Sequence, residues 1–259
     1  MQTKFTELTD SQWQFIQEYL PVQQAKKHDL RLILNAILWI VRTGTQWRNL
    51  DSKYPKWQSV YYHRRATPFY RWSRNGTLDR LNQALNQLVR VQAGRAAFPS
   101  LMCVDSQSVK LAPFIYEWRG LDANKKVNGR KRQAAVDTLG LLWAVDGEAA
   151  HQADSPMGCH LWPKLMPVSQ RLEKLLIDSS YQGTFTQMAT CLGRATQIAD
   201  KPETAQGFVP LKQRGGVERT FAWTNFFRGI VKDYQYTKES SEAMLLLANS
   251  TSALNKLAA

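Results

Sequence analysis

The sequence predicts an α/β protein, a mixed sheet flanked by helices over residues 99–259, preceded by a small all-α unit over 1–95. Three observations predict it. Short apolar runs end in an acid twice, at Leu101–Asp105 and at Leu175–Asp178, as buried strands do when they reach the edge of a sheet. Between them, Arg132–Thr138 and Leu141–Val145 flank Leu139 and Gly140 as the arms of a hairpin. Before residue 95 the apolar residues recur at helical spacing instead.

In the first unit, Thr9 and Gln12 form a capping box ahead of Trp13, Ile16 and Leu20, and Pro21 ends a helix over 10–20. A second helix over Asp29–Thr43 has Leu30, Ile33, Leu34, Ile37, Leu38 and Val41 on one face and Gly44 as its stop. Trp39, Trp47 and Trp57 read as core rather than as base-stacking residues at this spacing. A third helix, from Trp57 to Arg65, turns Val60 and Tyr61 inward and Arg64 and Arg65 outward, and Pro68 interrupts any helix after it. Asn75 and Gly76 make a turn into a helix with Leu78, Leu81, Leu85, Leu88 and Val89 on one side, and Gly94–Pro99 is the boundary. Three short helices and a basic segment suit a helix-turn-helix arrangement.

After the strand ending at Asp105, Pro113–Asn128 is an irregular, basic and aromatic connection before the hairpin. A helical stretch over Leu161–Leu172 leads to the Asp178 strand. Then come a helix over Tyr181–Leu192, a strand at Thr196–Ala199, a polar loop over Asp200–Gln206 and a short strand at Gly207–Leu211. The chain is helical from Val217, and Ser240 caps a last helix presenting Met244, Leu247, Thr251 and Leu254.

The 259 residues, 44% of them hydrophobic, can fill a real core, and the formal net charge of +13 points to a polyanionic partner. No run of about 18 apolar residues occurs and the N-terminus lacks a secretion pattern, so the expectation is a cytoplasmic protein without a membrane span. Cys103, Cys159 and Cys191 include no CxxC pair, which speaks against a disulfide framework or a zinc knuckle. The basic residues cluster. Arg64, Arg65, Arg71, Arg74 and Arg80 interleave with Tyr61, Tyr62, Tyr70 and Trp72, and Lys125, Lys126, Arg130, Lys131 and Arg132 form a second block. DNA backbone phosphates account for both blocks.

Sheet enzymes bind ligands at the carboxyl ends of their strands, which is where Asp105 and Asp178 fall. A lone Asp there is an ordinary cap, but two, joined by Glu218 at the head of the amphipathic stretch VERTFAWTNFF, suggest chemistry. Phosphodiester cleavage needs an activated oxygen, charge relief on phosphate and a stabilised leaving group, which two divalent ions supply. Magnesium takes hard oxygen ligands, so two Asp and one Glu suit it, whereas three close carboxylates without metal would resist ionising together. Asp146, after Val145, is the strongest competitor. Arg214 stands four residues before Glu218, the poorer order for a helix ion pair, and reads as a phosphate contact.

The segments VDSQSVK around Asp105, NGRKRQAAVDTLGLLWAV from Asn128, IDSSYQG around Asp178 and VERTFAW with IVKDY from Val217 to Tyr234 resemble the transposases of bacterial insertion sequences. They are most similar to the group named after insertion sequence five, from about Leu8 to the C-terminus. The resemblance implies a ribonuclease H-like DDE catalytic domain, whose order of strand, hairpin, helical stretch and strand matches the one read above. It implies Asp105, Asp178 and Glu218 as catalytic residues and metal ligands, Mg2+ as cofactor with Mn2+ as a substitute, and Asp137 and Asp233 as structural acids. It further implies cleavage of insertion-sequence ends and transfer of the 3′ hydroxyls to target DNA. The partners are then double-stranded DNA, as terminal inverted repeats and target, and a second copy in a homodimer or higher oligomer, at the bacterial nucleoid. Gly215 and Gly216 replace the family's tryptophan and valine, so the catalytic helix is expected to begin at or just after them with Glu218 in its first turn. A plain metal-dependent nuclease, and a degenerate copy that only binds DNA, stay open as rivals.

Overall fold

The computed structural model describes residues 5–21, 28–61, 67–199 and 215–258. Five helices come first: α1 (Asp10–Gln17), α2 (Leu30–Thr43), α3 (Trp57–Tyr61), α4 (Pro68–Trp72) and α5 (Thr77–Gln92). The Thr9–Gln12 capping box starts α1 as expected, and Asp29 caps α2, which stops at left-handed Gly44 (φ +70). Trp47 stacks on Tyr61 with ring centroids 4.4 Å apart, and Trp39 packs edge-on against Phe5 at 5.3 Å, so both are core residues. Pro68 does not interrupt a helix; it starts α4, where a missing N–H and a fixed φ cost nothing.

The sheet has six strands: β1 (Leu101–Lys110), β2 (Gly120–Asp122), β3 (Val127–Asp137), β4 (Leu142–Ala149), β5 (Lys174–Ile177) and β6 (Ala195–Ile198). The order is β2-β3-β1-β5-β6, with β4 paired to β3. β1 is antiparallel to β3 and parallel to β5, which is parallel to β6. This mixed, helix-flanked sheet is compatible with the ribonuclease H-like order. The hairpin arms are longer than their apolar cores suggested, because polar residues at both ends keep pairing.

The helical stretch expected over Leu161–Leu172 is instead a staircase of short turns: α6 (Asp154–Gly158), a 3-10 turn, α7 (Trp162–Leu165) and a second 3-10 turn at Met166–Val168. Pro163 and Pro167 each open a turn and forbid a continuous ladder. Then follow α8 (Thr184–Cys191), α9 (Gly215–Thr224), α10 (Arg228–Val231) and α11 (Lys238–Leu257). The cap of α11 is Thr237, whose side chain accepts from the Ser240 N–H, so Ser240 is inside the helix. The strand expected at Gly207–Leu211 lies outside the described residues. Among the described residues no helix is long and apolar enough to cross a membrane.

One continuous hydrophobic core runs from Leu8 through α2 and the sheet to Leu254. The helices before residue 95 therefore share their interior with the sheet rather than enclosing one of their own. Helix α5 lies on α11, and three buried asparagines close the seam. Asn82 and Asn86 each donate to the Leu142 carbonyl at 2.7 Å, and Asn249 accepts from the Leu142 N–H at 3.0 Å and donates to both other amides. Buried amides so fully satisfied fix one register of helix on strand.

Candidate active site

Strand β1 is buried at Met102, Cys103 and Val104 and becomes half-buried from Asp105, where the core ends and polar side chains can reach water. Leu101, Met102 and Cys103 face Lys174, Leu175 and Leu176 of β5; Asp105 follows two residues past the last pair within β1, and Asp178 follows directly on the end of β5. Such strands lie about 4.8 Å apart. Asp105 accepts the Ser106 N–H at 2.7 Å. Asp178 caps the 3-10 turn Ser179–Tyr181, accepting the Ser180 N–H at 2.8 Å together with the Ser180 hydroxyl.

Behind them lies a group that sequence reasoning missed. Tyr181 is buried and donates to the Gln133 side-chain oxygen, while the Gln133 amide donates to Asp154 at 3.0 Å and Lys131 pairs with Asp154 at 3.2 Å. Burial, then the charges of Asp154, Asp105 and Asp178, hold the Tyr181 phenol well above its ordinary pKa, so all three carboxylates act on one neighbour. Burial would raise the Asp154 pKa, but hydrogen bonds from Gln133 and Ser106 and the Lys131 charge outweigh it, and the net shift is downward. The only trace in the sequence was that Tyr181 follows Asp178 by one turn.

Glu218 sits exposed in the first turn of α9, which starts at Gly215 and packs on β1 and β3. The glycine is structural here. A Cβ on Gly216 would stand 3.0 Å from the Asp137 carbonyl oxygen, and Thr220 donates to the Gly140 carbonyl at 2.9 Å, so the helix rides directly on the β3–β4 turn. Among the described residues, the one set of three ligand-type side chains with donor atoms all within 4.8 Å is Asp146, Glu148 and His160. Asp105, Asp178 and Glu218 are not gathered that closely. As donors, an aspartate within β1, one directly after β5 and a glutamate on a helix packed against β1 fit a hard divalent cation in chemistry.

Asp146 does not compete for the Asp178 position: it lies on β4, opposite Gln133, with β3 between it and β1. It belongs to an ion network on an edge strand. Lys238 reaches Asp146 and Glu148 at 3.0 Å each, and Lys164 reaches Asp146 at 3.2 Å and Glu242 at 2.6 Å. His160 stands 2.7 Å from Glu148. Lys164 also donates to the Val145 carbonyl at 2.5 Å and Glu242 accepts the Gly147 N–H at 2.9 Å, closing the edge of β4 to further strands. Asp137 is wholly buried, accepting from Arg90 at 2.6 Å, from the Leu139 and Leu141 N–H groups and from Trp143.

The basic block divides. Arg130 and Arg132, expected on phosphate, are buried: Arg130 pairs with Asp233 at 3.2 Å and donates to the carbonyls of Glu117, Gln235 and Tyr236, and Arg132 donates to the Ile230 carbonyl. Lys131 is buried beside Asp154. These three hold the fold together, because β3 is covered on both faces and its cations must find partners inside. Lys125 and Lys126 remain exposed, with Lys125 reaching the Ser106 carbonyl at 3.3 Å. Arg74 is exposed, lies on the Tyr70 ring at 3.9 Å and pairs with Glu239 at 3.0 Å, and Arg71 is half-buried. Arg64, Arg65 and Arg214 lie outside the described residues.

Residues 8–82 match the family described as a transposase of the IS4/5 family, and residues 96–254 match the transposase DDE domain. A curated relative, the uncharacterized protein y4sN of Sinorhizobium fredii, is 33% identical over 78 residues, 29% of this chain. The chain spans 58% of the length of that relative. DDE transposases generally use divalent metal ions. With the DDE domain matched over more than half of its length, the chain belongs to the DDE transposases of the IS4/5 group.

Proposed function

We propose that this protein is a DNA transposase with a ribonuclease H-like catalytic domain, cutting insertion-sequence ends and joining the freed 3′ hydroxyls to target DNA. The observation that carries the reading is that Asp105, on β1, and Asp178, just past the parallel neighbour β5, both act on the buried Tyr181 phenol. Asp105, Asp178 and Glu218 are the residues to hold magnesium, with manganese as a substitute. Bound there, the ions relieve charge on the phosphate and the leaving oxygen and favour a deprotonated nucleophile. The Ser106 and Ser180 N–H groups hold the two aspartates in place from behind.

The helices over 1–95 are proposed to recognise the element ends, with Arg71 and Arg74, and Lys125 and Lys126 of the catalytic domain, on backbone phosphates. Arg64, Arg65 and Arg214 are assigned to phosphate on sequence grounds alone. Two ends must be cut and joined together, so a homodimer or larger assembly on nucleoid DNA is the working form. The close seat of Gly216 on Asp137 argues against a degenerate copy, since it is a fitted position rather than a decayed one.

The test is cleavage and joining of element-end DNA in magnesium by the protein and by Asp105→Asn, Asp178→Asn and Glu218→Gln. The reading expects end cleavage and joined products from the protein alone. Cleavage without joining would make it a nuclease, and an inert parent protein that still binds ends would make it a DNA-binding copy.

A further inference from the structure

The connection between β1 and β3 carries large apolar side chains on the outside. Phe114 is 65% exposed, Tyr116 77% and Trp118 45%, and next to them Tyr234 is 49% and Tyr236 50% exposed. Loops without a partner hide such residues, and a cluster of this size marks a binding surface.

Its backbone is firmly built. The buried Arg130 guanidinium donates to the Glu117 carbonyl from one segment and to the Gln235 and Tyr236 carbonyls from the other, so a single side chain clamps the two aromatic segments together. The Ala112 N–H donates to the Asp233 carbonyl at 2.9 Å, and Arg119 ties the loop to itself through the Ala112 and Ile115 carbonyls at 2.6 and 2.9 Å. Trp118 has φ +55, a left-handed conformation that a bulky side chain rarely adopts and that the clamp must sustain. A rigid backbone thus displays the aromatic side chains at a local conformational cost.

Cations alternate with the rings. Arg119 lies 5.8 Å from the Tyr116 ring and Lys232 5.5 Å from Tyr234, while Lys238, 5.2 Å from Trp118, supports that ring and is itself held by Asp146 and Glu148. Lys125 and Lys126 are exposed on the same connection, and Lys125 reaches back to Ser106, next to Asp105. Alternating rings and cations take an unpaired nucleic-acid strand, with bases stacking on the rings and phosphates meeting the cations. A surface made for another protein copy would set fewer charges between its apolar groups.

We infer that the strip of Tyr116, Trp118, Tyr234 and Tyr236 is a stacking site for the bases of unpaired DNA, one strand length from the carboxylates. Along β1 the distance from Asp105 to the start of the connection is about 20 Å. This rests on the transposase reading and adds that part of the substrate is held single-stranded at this strip.

The probe is a thymidine oligonucleotide carrying one 2-aminopurine, with no element-end sequence and no divalent ion, so the result does not depend on cleavage. Full-length protein is expected to quench the fluorophore by stacking. Tyr116→Ala and Trp118→Ala are each expected to weaken single-strand binding about tenfold with no change in its salt dependence, while duplex binding stays within twofold. Trp118→Phe should restore most of the affinity, and Lys126→Ala should flatten the salt dependence. Tyr116→Ala carries the test if loss of Trp118 impairs folding, since Tyr116 is mostly in solvent. Unchanged single-strand affinity in Tyr116→Ala overturns the inference. So does a shift of both alanine variants to a smaller assembly in sedimentation without loss of quenching, which would make the strip an interface between copies. Failure of end cleavage with the quenching intact would sink the transposase reading and leave the strip standing.

Discussion

Two groups of acids sit on one sheet and meet opposite fates. At the β4 edge, Asp146 and Glu148 draw closer to a third ligand-type side chain than Asp105 and Asp178 do, yet ammonium groups from Lys164 and Lys238 already stand among them. At Asp105 within β1 and Asp178 just past β5, the partners include the Ser106 and Ser180 N–H groups and a hydroxyl, with a phenol nearby. Closeness of carboxylates is therefore not enough to leave them open to a metal ion. Fixed lysines close the first group into a structural clasp, whereas backbone N–H dipoles help orient the second.

Substitution at the two groups should separate these roles. Asp105→Asn and Asp178→Asn should lower end cleavage by roughly a thousandfold or more while leaving the melting temperature unchanged or higher, since one of two adjacent like charges is gone. Loss of stability in step with activity would erase the contrast. Lys238→Met should do the reverse, destabilising the fold by about 2–4 kcal/mol in a denaturant titration by removing the ammonium at Glu148 and one of the two at Asp146, with cleavage per folded molecule near the parent value.

Gly216→Val should cost about 1–3 kcal/mol, because the Cβ meets a backbone carbonyl that cannot yield easily. A variant more stable than the parent would show that α9 can lift from the β3–β4 turn.

The smallest expected effect is in pH. Burial would lower the Lys164 pKa, but Glu242 and Asp146 overcome it and the folded value is raised above 10.5. Lys238 shifts the same way, burial again opposed by Asp146. Their stabilisation is complete below about pH 10.5 and disappears as the pH rises through the folded values. For Asp154, whose folded value is depressed below 3.8, the contribution is present above about pH 3.8 and disappears as the pH falls through the folded value. Unfolding midpoints from pH 3 to 12 should fall at both ends, and Lys164→Met should flatten the alkaline end.

Much of this was legible locally. The strand leading to Asp178, the Thr9 capping box, the Gly44 stop and Glu218 in a first helical turn follow from neighbours in sequence and are present in the structure, whereas β1 does not end at Asp105 but pairs with β3 on to Lys110. What sequence missed was set by distant partners. Arg130 and Arg132 looked like surface charge because Asp233, 103 residues beyond Arg130, could not be seen as their counterion. Their period-two spacing, leading into Ala134 and Val136, was the hint that β3 is buried. Asp154 was overlooked because its importance comes from Gln133 and Tyr181, not from the residues beside it. Pro163 and Pro167 are the local signal that a continuous helix over Leu161–Leu172 breaks into short turns.

The three asparagines at the α5–α11 seam bear on how such a protein can change over time. Asn82 and Asn86 come from the region before residue 95 and Asn249 from the far end of the chain; the first two share the Leu142 carbonyl, and Asn249 joins them both to the Leu142 N–H. A chimera taking its first ninety-odd residues from a distant cousin would inherit half of this lock and leave buried amides stranded. Change in the N-terminal helices is then reached by point substitutions on their outer faces rather than by exchange of the whole unit, and the two halves of the chain are inherited together.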